Sequence, residues 1–143
     1  MSDMSRRIKN PVMRLYMPSW RDILPTPFHN QYWTLSDIDG FGERNGRFLF
    51  VEHKSPGVKL DLDGGQGRAL KELSKLPKVC VLVVWGDLPK GRVVAYQRVG
   101  FDLEPVDCSE DEGRWNGAEQ VFIDWYQWAD SEADGHPWED NDE

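Results

Sequence analysis

The alternation of apolar and polar residues is clearest on the two sides of Asn45-Gly46, in the segment 33–57. Asn-Gly between two such runs is typical of a β-hairpin with a two-residue type I′ turn, because both central positions need a positive φ. The turn sets the register of the hairpin, so Arg44 is expected to lie opposite Arg47. Every later cross-strand pair then follows from this one.

Continued along both strands, this register predicts a polar cluster at the open end of the hairpin. Asp39 is expected to face Glu52, and Asp37 is expected to face Lys54. Opposed residues share one face of a sheet and side chains alternate along a strand, so these four groups converge while the side chain of His53 points away.

The next periodic segments predict a helix and a buried strand. Residues 66–76 have apolar positions at helical spacing and follow an Asp63-Gly64-Gly65 loop, which is typical of a helix start. Residues 79–85, VCVLVVW, form a continuous apolar run of the length expected for a strand that is buried on both faces. A strand, a helix and a second strand in this order predict a crossover and a parallel strand pair at the centre of the sheet.

The rest of the chain predicts a second hairpin, a helix and a tail. Residues 92–99 and 101–106 are expected to pair at a sheet edge. Residues 118–129 should form a helix packed on the sheet, because its large apolar residues fall on one face. That face consists of Val121, Phe122, Trp125 and Trp128. Residues 131–143 are polar and acidic and are expected to be a mobile tail.

These elements together predict one α/β domain over residues 1–130, with a mixed sheet and the acidic tail 131–143 after it. The length of 143 residues is enough for one core, and 39% apolar with 29% charged residues is ordinary for a globular protein. No apolar run approaches the roughly 20 residues of a membrane span, so we expect a cytoplasmic protein. Cys80 and Cys108 have no metal-ligand spacing and are expected to be reduced thiols.

The net charge of −8 is unevenly distributed along the chain. Residues 1–108 carry 16 Lys or Arg against 13 Asp or Glu, whereas residues 109–143 carry 1 against 12. The body is therefore mildly basic, which is compatible with binding the phosphates of nucleic acid. The acidic tail has two interpretations: a solubility tail, or a segment that competes with nucleic acid for the basic surface.

The predicted polar cluster needs a compensating positive charge. Opposed like charges destabilise a strand pair by up to about 1 kcal/mol, and Asp39 faces Glu52. A divalent cation such as Mg²⁺ accepts one or two carboxylates and takes its other ligands from water and phosphate oxygens. The alternative is an ordinary solvated face on which Asp37 and Lys54 form a surface ion pair.

Asp39, followed 13 positions later by Glu52-His53-Lys54 at the end of an apolar strand, resembles the motif of the PD-(D/E)xK nuclease superfamily. The run GRFLFVEHKSPG looks especially like small phage-type, Holliday-junction-resolvase-like or VRR-NUC-like members. The resemblance covers about residues 30–86 and implies a restriction-endonuclease-like core. The usual Pro-Asp around the first acid is absent.

The resemblance implies a role for each matching residue. Asp39 and Glu52 would bind Mg²⁺ or Mn²⁺, together with the backbone carbonyl of His53, and Lys54 would assist the attacking water. Asp37 is a rival to Asp39 for the metal position, and we prefer Asp39 on register. Several branches of the family also carry a Gln on the next helix, which places Gln66 among the catalytic residues.

The expected function is thus a metal-dependent nuclease that hydrolyses phosphodiester bonds in nucleic acid, DNA rather than RNA, and related enzymes often act as homodimers. Two alternatives remain open at this point. The first is a non-catalytic nuclease-fold protein of phage or mobile-element origin that binds nucleic acid or a host protein. The second is a structural hairpin whose register is shifted by a bulge at Gly46, which would put Asp39 and Glu52 on opposite faces.

Overall fold

A mixed sheet forms the centre of the protein, whose computed structural model describes residues 38–112 and 115–139. In this part of the chain the sheet has five strands, which follow one another across it in sequence order. They are β1 Gly40–Arg44, β2 Arg47–Lys54, β3 Val79–Asp87, β4 Arg92–Arg98 and β5 Val106–Asp107. Strands β2 and β3 are parallel, and the other pairs are antiparallel. Helices α1, Gly65–Ser74, and α2, Glu119–Asp130, complete the α/β fold.

The β1-β2 hairpin has the predicted turn and register. Asn45 and Gly46 have φ values of 56° and 78°, as a type I′ turn requires. Arg44 pairs with Arg47, and the ladder continues without a shift to the pair of Gly40 with Val51. The shifted-register alternative is therefore wrong.

The β2-α1-β3 unit confirms the predicted crossover and the parallel strand pair, with β3 in the middle of the sheet. The helix begins one residue before the predicted start and ends at Ser74, two residues before the predicted end. Its apolar stripe is narrower than expected: Leu70 is buried and Leu73 half-buried, whereas Ala69 and Leu76 are exposed.

Gly67, on α1, is in close contact with the preceding loop. A Cβ atom at this position would lie 1.7 Å from the carbonyl oxygen of Asp61, a backbone atom that has no flexible end to move. We expect Gly67→Ala to lower the free energy of unfolding by about 1–3 kcal/mol, because the loop must shift. Gly40→Ala is the control, since a Cβ there meets nothing within 4 Å. Chemical denaturation of both variants measures the difference, and equal stabilities would contradict the prediction.

Beyond β3 the sheet edge is shorter than predicted. Strand β4 forms as expected, but the segment 101–106 contributes only Val106 to a two-residue strand. The reason is the tight turn after β4. The carboxylate of Asp102 accepts hydrogen bonds from the backbone N–H and the guanidinium of Arg98, at 2.7 to 2.9 Å, and Gly100 has a φ of +93°. Residues 101–105 therefore form no strand of the sheet.

Helix α2 packs on the sheet face opposite to α1, as its apolar face predicts. Val121, Trp125 and Trp128 are buried there. The hairpin turn holds the end of this helix: Asn45 Nδ2 donates to the carbonyl of Ala129 at 2.9 Å, and Arg47 Nη1 donates to the carbonyl of Trp128. These donors satisfy carbonyls that have no partner within the helix. The sheet thus separates two apolar cores, one under each helix.

After α2 the structure describes the chain as far as residue 139, within the segment predicted to be a mobile tail. Trp138 is only 4% exposed, and its Nε1 donates to the carbonyl of Val121 at 3.3 Å. The ring of His136 packs against Phe101, with ring centroids 4.1 Å apart and planes tilted by 31°, and its Nε2 lies 3.3 Å from Cys80 Sγ. Trp138 therefore belongs to the apolar core under α2, although its neighbours in sequence are acidic.

Burial raises the pKa of the Cys80 thiol to about 12, so the thiol is protonated at neutral pH. Both cysteines are buried and free, in agreement with the prediction of reduced thiols. Neither helix in the described part of the chain is long and apolar enough to cross a membrane.

Candidate functional site

The predicted polar cluster lies at the carboxyl end of β2, on the sheet face that carries α1. Phe48 and Phe50 of β2 pack into the core under α1, and Glu52 and Lys54 continue the same face by alternation. The side chain of His53 is on the opposite face, where its Nε2 lies 2.7 Å from the carbonyl oxygen of Gly86. The predicted separation of His53 from the acidic cluster is therefore confirmed.

Asp39 lies one residue before β1, in the position opposite Glu52 that the register predicts. Its Oδ2 accepts a hydrogen bond of 2.7 Å from the backbone N–H of His53. This bond joins the start of one strand to the end of the other and keeps the two carboxyl groups together. The raised pKa of Glu52 reflects the same proximity, since Asp39 is its largest cause after burial.

Glu52 has an unusual environment for a carboxyl group. Its exposed fraction is 0%, and neither of its carboxyl oxygens has a hydrogen-bond partner in the described structure. Burial, and then the neighbouring Asp39, raise the pKa of Glu52 from 4.5 to about 8. Most buried carboxyl groups are hydrogen-bonded or paired, so an unpartnered one calls for a specific explanation.

Lys54 is the cation nearest to Glu52 along this face of β2, and it is only 9% exposed. Within residues 38–112 and 115–139, however, no ion pair includes Lys54 or Glu52. The lysine lies on the same face of the hairpin as the two acids.

Asp39 and Glu52 are the described side chains that could hold a divalent cation at this site. No group of three or more His, Cys, Asp or Glu side chains in the described residues could hold a metal ion. Two carboxylates with water and phosphate oxygens satisfy Mg²⁺, which does not need a cage made only of protein ligands. The His53 carbonyl, between Glu52 and Lys54 in the chain, is the further ligand that the family resemblance implies.

The two remaining predicted residues differ in how far the structure describes them. Asp37, the rival metal ligand, lies outside the described residues. Gln66 lies in the first turn of α1, four residues before Leu70 and hence on the helical face that packs on the sheet. Its side chain is half-buried. Its catalytic role remains a prediction.

The structure adds three aromatic residues to this face that the sequence analysis did not single out. We call Phe41, Phe48 and Phe50 the phenylalanine ladder. The ring centroids of Phe41 and Phe50 are 6.1 Å apart, and those of Phe48 and Phe50 are 6.2 Å apart. The sequence contained the information needed to find them. Strand alternation places Phe41 on the same face as Asp39, and it places Phe48 and Phe50 on the same face as Glu52.

No family model matches this chain, and no similar protein was found among curated proteins or among solved structures.

Proposed function

We propose that this protein is a metal-dependent nuclease of the PD-(D/E)xK type, which hydrolyses phosphodiester bonds in nucleic acid, with DNA favoured. The observation that carries the proposal is the fully buried and unpartnered carboxyl group of Glu52, opposite Asp39 and on the same face as Lys54. The arrangement of hairpin, crossover helix and central parallel strand supports a restriction-endonuclease-like core.

The energetics of the site favour a functional role over a structural one. A carboxyl group that only stabilised the fold would be expected to have hydrogen-bond donors around it. Neither carboxyl oxygen of Glu52 makes a well-formed hydrogen bond in the described part of the chain, and its nearest acidic neighbour opposes its ionisation. A divalent cation between Glu52 and Asp39 would remove both penalties, since its charge favours the ionised form of each acid.

The residues of the site have distinct tasks in the proposed reaction. Asp39 and Glu52 hold Mg²⁺ or Mn²⁺, and the hydrogen bond from the His53 N–H fixes the orientation of the Asp39 carboxylate. A cation held there would neutralise charge at the phosphate and increase the acidity of water. Lys54 orients the attacking water or stabilises the negative charge that develops on the phosphate oxygens, for which a compact ammonium is suited. Gln66 contacts the substrate or the water from the first turn of α1.

The outer surface of α1 supplies a candidate path for the nucleic-acid backbone. Arg68 and Lys71 are exposed on this helix, and Lys75 is exposed directly after its last residue. Lys71 and Lys75 approach acidic neighbours, Asp63 at 3.9 Å and Glu72 at 2.6 Å. Such exposed ion pairs are weak, so phosphate groups can replace the acidic partners at little cost.

The test is a cleavage assay with the full-length protein on single-stranded, duplex and branched DNA and RNA, in Mg²⁺, in Mn²⁺ and in EDTA. We expect cleavage that requires the metal and that is lost in Glu52→Gln. Absence of cleavage on every substrate, together with absence of metal binding by calorimetry, would refute the proposal. That result would favour a non-catalytic nucleic-acid-binding or host-protein-binding role.

The identity of the first metal ligand gives a separate prediction. We expect Asp39→Asn to reduce cleavage by about 10²-fold or more, because it removes a negative ligand. Asp37→Asn should retain most of the activity if the register argument for Asp39 is correct. Cleavage rates measured across a Mn²⁺ titration compare the two variants. The opposite ranking would assign the metal position to Asp37.

A further inference from the structure

The phenylalanine ladder lies next to the candidate site, on the same face of the hairpin. On β2 the face runs from Phe48 through Phe50 to Glu52, and on β1 the same face holds Phe41 two residues from Asp39. Phe41 and Phe50 are directly opposed across the hairpin. The aromatic rings and the two carboxyl groups thus share one face of the hairpin, on which Phe41 is exposed and Glu52 is buried.

Phe41 is the exposed end of this surface. Its side chain is 71% exposed, whereas Phe48 and Phe50 are partly buried against the core under α1. A single exposed apolar residue is common on protein surfaces and needs no explanation. Phe41 is not isolated, however, because its ring extends an aromatic row whose inner members are fixed by packing. Packing against the core fixes the rings of Phe48 and Phe50, and the ring of Phe41 is exposed to solvent.

The spacing between the ladder and the carboxyl groups matches one nucleotide. Two residues along a strand span about 7 Å, so Phe41 is separated from Asp39 by about that distance. A base and a phosphate of the same nucleotide, joined through one sugar, span a comparable distance. A strand whose phosphate lies beside the half-buried Asp39 can therefore place the base of that nucleotide on the ring of Phe41.

We propose that Phe41 is a base-stacking subsite that binds an unpaired nucleotide next to the scissile phosphate. This inference rests on the proposed function and assigns its substrate class: nucleic acid that is single-stranded at the site of cleavage. In a duplex each base is stacked between its neighbours, so its flat face is not available to a protein ring. An unpaired base offers that face, and stacking on aromatic side chains is tolerant of base identity.

The test compares variants in the full-length protein with Glu52→Gln as the background, so that binding is measured without cleavage. Phe41→Ala removes the ring and Phe41→Trp keeps an aromatic surface. Leu103→Ala is the matched control, since Leu103 is 99% exposed and lies in the turn after β4. The probes are fluorescein-labelled oligothymidylate, oligouridylate, an abasic strand of equal length and a duplex, and fluorescence anisotropy gives each Kd.

We expect Phe41→Ala to weaken binding of both base-bearing single strands by about 5-fold to 100-fold, the range that corresponds to the loss of one stacked base. Phe41→Trp and Leu103→Ala should bind like the background protein. For the abasic strand and for the duplex, the background protein and the Phe41→Ala variant should have the same Kd, because neither probe offers a free base face.

Three results would overturn the subsite. They are unchanged binding in Phe41→Ala, an equal loss of affinity for the abasic strand, and a shift from dimer to monomer in sedimentation, which would make Phe41 a contact between two copies of the chain. The outcome is separable from that of the nuclease proposal. Metal-dependent cleavage with no effect of Phe41 refutes only the subsite, whereas Phe41-dependent binding without cleavage refutes only the nuclease.

Discussion

We expect Glu52→Gln to abolish cleavage and, in the absence of metal, to make the protein more stable. In the folded protein the pKa of Glu52 is raised from 4.5 to about 8, because burial and Asp39 disfavour its charge. Below pH 4.5, the pKa of Glu52 in the unfolded chain, the carboxyl group is protonated in both the folded and the unfolded state and does not destabilise the fold. Stability is then lost as pH rises towards the folded-state pKa, because the unfolded chain releases a proton that the folded protein retains.

Glutamine keeps the shape of the side chain and carries no charge, so the free energy of unfolding of the variant does not fall in this way as pH rises. The expected gain in the free energy of unfolding is on the order of 2–4 kcal/mol at about pH 8 and above, and it disappears near pH 4. Chemical denaturation in EDTA across this pH range measures it. Addition of Mn²⁺ should raise the melting temperature of the parent protein but not of the variant, because only the parent has both ligands. A variant that is less stable than the parent at every pH would identify Glu52 as a structural residue.

The second large effect is expected at Lys54. Lys54→Met retains most of the length of the side chain and removes only the ammonium group, so packing near the end of β2 is conserved. We expect the rate of cleavage at saturating Mn²⁺ to fall by about 10²-fold to 10³-fold, the typical loss when one charged donor at a transition state is removed. Metal affinity should change little, since Lys54 is not a proposed ligand.

Lys59→Met is the matched control, because Lys59 is exposed in the loop that follows β2. It should cleave at the rate of the parent protein. Calorimetric titration with Mn²⁺ separates the role of Lys54 in the reaction from a role in metal binding. Equal losses of activity in the two lysine variants would indicate a general effect of surface charge rather than a specific role at the site.

The hairpin shows why part of this site could be predicted without a structure. The Asn45-Gly46 turn allows one backbone geometry, and the strict alternation of strand side chains then fixes which residues share a face. The positions of Asp39, Glu52 and His53 followed from these two local rules. Helix α2 followed in the same way from its apolar face.

Other features depend on contacts between residues far apart in sequence. The end of α1 at Ser74 and the short β5 depend on how the loops pack, and the turn around Asp102 is held by the Arg98 ion pair. Composition indicated a mobile tail from residue 131, yet the ring of Trp138 is buried against α2. A single large apolar side chain can outweigh an acidic neighbourhood, but only if a cavity of the right shape exists in the folded protein.

By itself, the sequence determined the register of the hairpin, the two helices, the parallel pair of β2 with β3, and the convergence of Asp39 with Glu52. These follow from backbone geometry and from hydrophobic periodicity, both of which act over short distances along the chain. Only the tertiary structure decided that Glu52 is fully buried without a partner in the described part of the chain and that Phe41 extends the same face into solvent. Burial and solvation depend on everything that packs around a side chain, and that is a property of the whole fold.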